Sequence, residues 1–180
     1  MTEADLVQKC QKQNKHAQHV LFETYSDRLY RLMLRYVRIQ EDAEDLLMTA
    51  FVKIFKHIGT FVLKDDGGLE AWMRKVVVNE ALMLLRKRHN LNLTESLDTH
   101  DPEHNQVAWQ EIEAEDLYNM VIELPPGYRT VFNLFVVEGY SHSEIAAMLE
   151  ISENTSRSQL FKAKQLLKRK MEKDGIQYGT

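Results

Sequence analysis

Apolar residues recur at three- and four-residue intervals along most of this 180-residue chain, and the pattern disappears between Asn90 and about Gln106. That spacing keeps side chains on one face of an α-helix, whereas a half-buried strand needs strict alternation. The expectation is an all-α chain of two small helical domains joined by a flexible acidic linker. A content of 7 Gly and 3 Pro agrees, being too poor in turn-formers for a many-stranded sandwich or barrel.

Residues 19–38 read as an amphipathic helix, with Phe22, Tyr25, Leu29, Leu32 or Met33, and Tyr36 on one face and Arg28, Arg31, Arg35 and Arg38 opposite. A second helix is expected to begin within Glu41–Asp45, where carboxylates suit the positive end of a helix dipole. Leu46, Leu47, Ala50, Phe51, Ile54, Phe55 and Ile58 continue it to a stop at Gly59. Residues 64–68 are a loop by composition, and a third helix runs from about Leu69 to Arg88 with Trp72, Val76, Ala81, Leu82 and Leu85 facing inward. Asp101-Pro102-Glu103 breaks any helix in the linker. Periodicity resumes with Trp109, Ile112, Leu117, Met120, Val121 and Leu124 and stops at Pro125-Pro126-Gly127. Val131, Phe132, Phe135 and Val136 mark another helix, ended by Glu138-Gly139-Tyr140. The divisions expected are 1–90, a linker at 91–106, a second domain at 107–173 and a tail at 174–180.

The net charge of -4 argues against a nucleic-acid binder until the chain is divided. Residues 72–90 carry five basic groups against Glu80 alone, residues 92–124 hold nine carboxylates and no Lys or Arg, and residues 125–173 are net positive by three. Such an order fits two nucleic-acid-facing modules joined by an acidic connector, and it equally fits ordinary solvated helix faces.

The stretch from Gly139 to Leu167 is more specific. Ser141 and Glu144 form a capping box, the hydroxyl and carboxylate each satisfying a free backbone N–H at a helix start. Ile145, Ala146 and Leu149 bury one face of a short helix. After a turn at Glu150-Ile151 carrying a buried Ile, Ser152 can cap a second helix whose Leu160, Ala163 and Leu167 face inward. The other side is expected to present Thr155, Arg157, Ser158, Gln159, Lys162 and Lys164. A short helix, a tight turn and a polar-basic second helix describe a helix-turn-helix. Arg and Gln near the start of such a helix can reach base edges, while Lys162, Lys164 and Lys168 suit phosphates.

Other classes find little support. The lone Cys10 excludes a disulfide framework or a multi-cysteine metal site. His16 and His19 lack a third ligand, and His100, Asp101, Glu103 and His104 lie in the linker, so solvated side chains are expected rather than a metal site. No Gly-rich phosphate loop or nucleophile arrangement is present. The expectation is a protein that is not an enzyme and holds no cofactor. The first twenty residues lack a signal-peptide core, and no run of about 18 apolar residues could span a membrane, so a cytoplasmic protein without membrane insertion is expected.

Three segments together resemble the extracytoplasmic-function (ECF) group of sigma-70 factors, group IV, over about residues 19–170. LPPGYRTVFNLFVVEGYSHSEIAAMLEIS (124–152) resembles region four, DAEDLLMTAFVKIF (42–55) resembles a region-two segment, and AWMRKVVVNEALMLLRKR (71–88) resembles the Trp-containing helix that follows. Met48-Thr49 stand where the family often has Gln-Glu, Glu150 where Gly is usual, Ser156 where an apolar residue is common, and Gln159 where a basic one is common.

The resemblance implies a specificity subunit that binds core RNA polymerase and directs it to promoters. Region two would dock on polymerase through Asp42, Glu44, Asp45, Leu46, Met48 and Thr49. It would open the minus-ten element with Phe61, Lys64, Trp72, Arg74, Lys75, Asn79, Arg86, Lys87 and Arg88. Region four would read the duplex minus-thirty-five element with Ser141, Thr155, Arg157, Ser158, Gln159, Lys162 and Lys164. The implied partners are core polymerase, promoter DNA both double-stranded and melted, and an anti-sigma protein, which in the family is often membrane-bound. The alternative is a stand-alone dimeric helix-turn-helix regulator, which leaves the segments at 42–55 and 71–88 unexplained.

Overall fold

The computed structural model describes residues 1–64, 68–87 and 114–173. Among these the regular structure is helical, in the order α1 (Glu3–Gln11), α2 (Lys15–Tyr36), α3 (Gln40–His57), a 3-10 turn (Ile58–Thr60), α4 (Gly68–Lys87), α5 (Ala114–Ile122), α6 (Pro126–Phe132), a π-helical turn (Asn133–Val137), α7 (His142–Leu149) and α8 (Glu153–Lys173). The chain separates into two compact units, Met1–Leu84 and Leu85–Thr180. The expected linker at 91–106, Arg88 and the tail at 174–180 lie outside the described residues.

In the first unit, each of the first two helices begins at a side-chain cap. Thr2 accepts from the Asp5 N–H at 3.1 Å, and Asn14 accepts from the Ala17 N–H at 3.0 Å. Periodicity does not predict α1, because only Leu6, Val7 and Cys10 mark its buried side. Along α2 the buried row is Ala17, Leu21, Leu29, Leu32, Met33 and Tyr36, with Phe22 and Tyr25 half-exposed at its margin. Phe22 lies against Phe51 of α3, ring centroids 4.6 Å apart, so it closes the α2–α3 seam from the side. On α4 the buried row is Leu69, Met73, Val77, Ala81 and Leu82. Trp72 and Val76, expected inside, are half-exposed because they lie one position off that row. The α4 helix is tied to α2 by Arg28–Glu70 at 3.1 Å and to α3 by Lys53–Glu80 at 2.6 Å. Glu80 is only 6% exposed, so the Lys53 ammonium compensates a carboxylate largely removed from water.

In the second unit, Pro126 occupies the first turn of α6, where its missing N–H costs nothing. The two prolines therefore start a helix as well as ending one. Arg129, 3% exposed, donates to the carbonyls of Ile122 at 2.9 Å and Leu124 at 3.3 Å, satisfying acceptors that the end of α5 leaves open. Gly139, at φ 77°, turns the chain out of the π-helical turn. Ser141 then opens α7 with the full capping box. Ile145, Leu149, Leu160, Ala163 and Leu167 are buried with Val131 and Phe132. Ala146 and Ile151, expected inside, are half-exposed.

Candidate nucleic-acid interface

Three outward faces carry the candidate residues. On α4, steps of three and four place Trp72, Lys75, Asn79, Met83 and Arg86 along one side. Lys75, Asn79, Met83 and Arg86 are exposed, Met83 at 52%. The chain leaving the 3-10 turn brings Phe61 onto the start of this stripe, stacked on Trp72 with centroids 4.8 Å apart and planes 27° apart. A paired aromatic surface followed by an amide and cations is chemically suited to a splayed, stacked nucleotide strand. Lys64 and Lys87 are exposed near its two ends. Arg74 lies about 200° around the helix from Trp72 and does not join the face. Arg88 falls outside the described residues. Met83 was missed by sequence reading because an exposed methionine inside an apolar run carries the same signal as a core residue.

The second face belongs to α8. Arg157 is exposed, Lys164 half-exposed and Lys168 exposed, and steps of three and four from Asn154 place all of them on one side with Phe161. Arg157 lies 3.4 Å from Glu153 one turn before it. Lys162 is half-buried beside this stripe. Three expected residues are not presented. Thr155, Ser158 and Gln159 are buried at 3%, 5% and 2% exposure. Thr155 and Gln159 belong to the row that continues at four-residue steps through Ala163, Leu167 and Met171, all buried. Thr155 also serves the cap, its N–H donating to Ser152 Oγ at 3.0 Å. The Ser158 hydroxyl turns back to the Thr155 carbonyl at 3.0 Å. Ser141 is exposed, but its hydroxyl is engaged with Glu144 in the capping box.

The unusual residues of the turn have local accounts. Glu150 adopts a left-handed conformation at φ 57°, which explains why a glycine suits this position. Ser156 is fully buried, and its hydroxyl is 2.8 Å from His142 Nδ1, so a polar contact replaces apolar packing. The same imidazole stacks on Phe135 at 4.4 Å.

The third face is on α3. Glu44, Asp45, Met48 and Thr49 are exposed, while Asp42 and Leu46 are half-buried. Val52, one turn beyond Met48, is 66% exposed and Met48 is 55% exposed. Together they form an apolar stripe flanked by carboxylates. Val52 escaped sequence reading because its neighbours Phe51 and Ile54 are core.

Two family models match the chain. Residues 21–91 match Sigma-70 region 2, and residues 114–167 match Sigma-70, region 4, together well over half of the chain. The chain belongs to the sigma-70 family. It is 30% identical over 154 residues to the ECF RNA polymerase sigma factor SigE of Mycolicibacterium smegmatis, covering 82% of this chain and 59% of that relative's length. It is 24% identical to the ECF RNA polymerase sigma-E factor of Haemophilus influenzae, across 96% of both chains. The fold resembles that solved in the structure of CnrH in complex with the cytosolic domain of CnrY, with TM-score 0.51 and 18% identity over 94% of this chain and 96% of that one. This is an ECF sigma factor, directing promoter-specific initiation by RNA polymerase. The family comprises regulatory subunits without catalysis. Among the described residues no helix is long and apolar enough to cross a membrane.

Proposed function

We propose that this ECF factor belongs to group IV and acts in the cytoplasm as a non-enzymatic subunit of core RNA polymerase. The α3 stripe of Met48 and Val52, flanked by Glu44, Asp45 and Thr49, docks on polymerase: the apolar centre supplies affinity and the carboxylates select a basic partner surface. The stacked Phe61–Trp72 pair, with Lys75, Asn79, Met83 and Arg86 along α4, captures the melted minus-ten strand. Unstacking a base costs a few kcal/mol, which aromatic stacking and amide hydrogen bonds offset. Arg157 reads base edges in the minus-thirty-five major groove, and Lys162, Lys164 and Lys168 hold phosphates. Ser141 fixes the start of α7, and Thr155, Ser158 and Gln159 shape α8 from within. An anti-sigma protein is a further partner, and it would act by covering the polymerase-docking stripe. Residues 1–90 and 107–173 are the working domains, joined by 91–106.

The observation that carries this reading is the continuous aromatic, amide and cationic face of α4 within the region-two match. Its test is transcription by core polymerase from the protein's own source on a promoter-enriched DNA library. Initiation from a defined set of sites only when the protein is added supports the reading. Duplex binding without core and without new initiation would replace it with a stand-alone regulator.

A further inference from the structure

The α1 helix belongs to neither nucleic-acid face, yet its last residue reaches the segment that carries Phe61. Gln11 Nε2 donates to the Ile58 carbonyl at 3.2 Å and to the Phe61 carbonyl at 2.9 Å. A carboxamide nitrogen carries two N–H groups, so one side chain can make both bonds. The Ile58 carbonyl also accepts from the Phe61 N–H at 3.1 Å, closing the 3-10 turn. The backbone of Phe61 is therefore held at its N–H and its carbonyl, while its ring stacks on Trp72. Of the next residues, Val62 is 72% exposed and Lys64 is exposed, while Leu63 is half-buried.

We infer that Gln11 is a positioning residue for minus-ten recognition: it clamps the turn between α3 and α4 so that the Phe61–Trp72 platform is formed before DNA arrives. The inference rests on assigning the α4 face to the melted strand. A platform ordered in advance does not spend stacking energy on fixing its own loop. Without the clamp, Phe61 leaves the turn with one backbone bond and a ring contact, and binding must supply the missing order. A residue in the N-terminal helix thus sets how sharply the minus-ten sequence is discriminated.

The test compares the full chain with Gln11→Leu, Gln11→Glu and Gln11→Lys. Leu and Glu cannot donate, whereas the Lys ammonium restores donors at similar reach. The first readout is amide hydrogen exchange at Phe61 in the free protein. Exchange about tenfold faster in the Leu and Glu variants, with recovery in Lys, is expected. The second readout uses core polymerase and promoters found in the library experiment. The preference for the favoured minus-ten sequence over single-base substitutions should fall about three- to tenfold for Leu and Glu and recover for Lys. The corresponding minus-thirty-five preference should stay within about twofold. Because it is a ratio, this measure is insensitive to uniform phosphate attraction by the added lysine.

Unchanged exchange at Phe61 overturns the inference. Faster exchange with intact minus-ten discrimination also overturns it, as does equal loss at both promoter elements. If the wild-type protein directs no initiation, the proposed function fails and with it the recognition role of Gln11. The exchange result then still decides whether Gln11 anchors Phe61.

Discussion

Gln159 lies four residues before Ala163, and that step, more than its amide, decides its place: the row through Ala163, Leu167 and Met171 is buried. Arg157 is rotated away from the row and remains exposed. The two side chains therefore differ in accessibility although both residue types can make bidentate base contacts. Replacing Lys164 or Lys168 with Ala should weaken binding similarly across sequences and reduce the slope of log affinity against log salt by about 0.9 for each phosphate no longer neutralised. Arg157→Ala should instead relax preference at one base position, at a cost of about 1–3 kcal/mol. Titration of holoenzyme on duplex promoters at several salt concentrations checks both. Cys10 offers a second residue-scale test. It is wholly buried, and burial raises its thiol above the ordinary value of 9.0. The unfolded chain then loses this proton first as pH rises. The thiol's contribution to stability is intact below about pH 9 and declines as pH climbs through the folded-state value. Denaturant melts from about pH 8 to about pH 10.5, comparing wild type with Cys10→Ala, should show a steeper alkaline loss in the wild type.

At the scale of elements, caps set the helix-turn-helix. The Ser141–Glu144 box starts α7, and Glu150 ends it in a left-handed conformation. Ser141→Ala should cost about 1 kcal/mol, and Glu150→Gly should stabilise by up to about 1 kcal/mol by relieving the Cβ penalty. Opposite shifts in the melting temperature of the second unit, followed by helical circular dichroism, would check the pair. The capping box was legible because its residue types and spacing are local. The π-helical turn and the use of Pro126 to start α6 were not, since a Pro-Pro pair reads equally as a stop and as a start. The α1 helix escaped because nine residues provide too few apolar positions to establish a period.

For the whole molecule, function depends on faces remaining available after each bundle closes. The α3 stripe has Met48 at 55% and Val52 at 66% exposure, an apolar cost in the free protein that a partner would relieve. Met48→Asp or Val52→Asp should leave the helical fold intact and weaken core polymerase binding by about tenfold or more, measured by competition with a labelled wild-type chain. Duplex contacts of α8 should be unaffected in holoenzyme that still forms. If core affinity does not change, the docking surface lies elsewhere.

Helix periodicity, the capping box and the order of the three resembling segments depend on neighbours a few residues apart, so the sequence by itself determined the all-α class, most helix boundaries and the family. Exposure depends on which helix covers which face, and only the tertiary structure decided it. It turned Gln159 and Thr155 inward, left Trp72 half-exposed to meet Phe61, and exposed Val52 beside buried Phe51. It also brought Gln11 to Phe61, an approach across fifty positions that no local pattern encodes. Hydrogen-bond donors are specified by residue type, but the acceptors they find are specified by how the chain closes on itself.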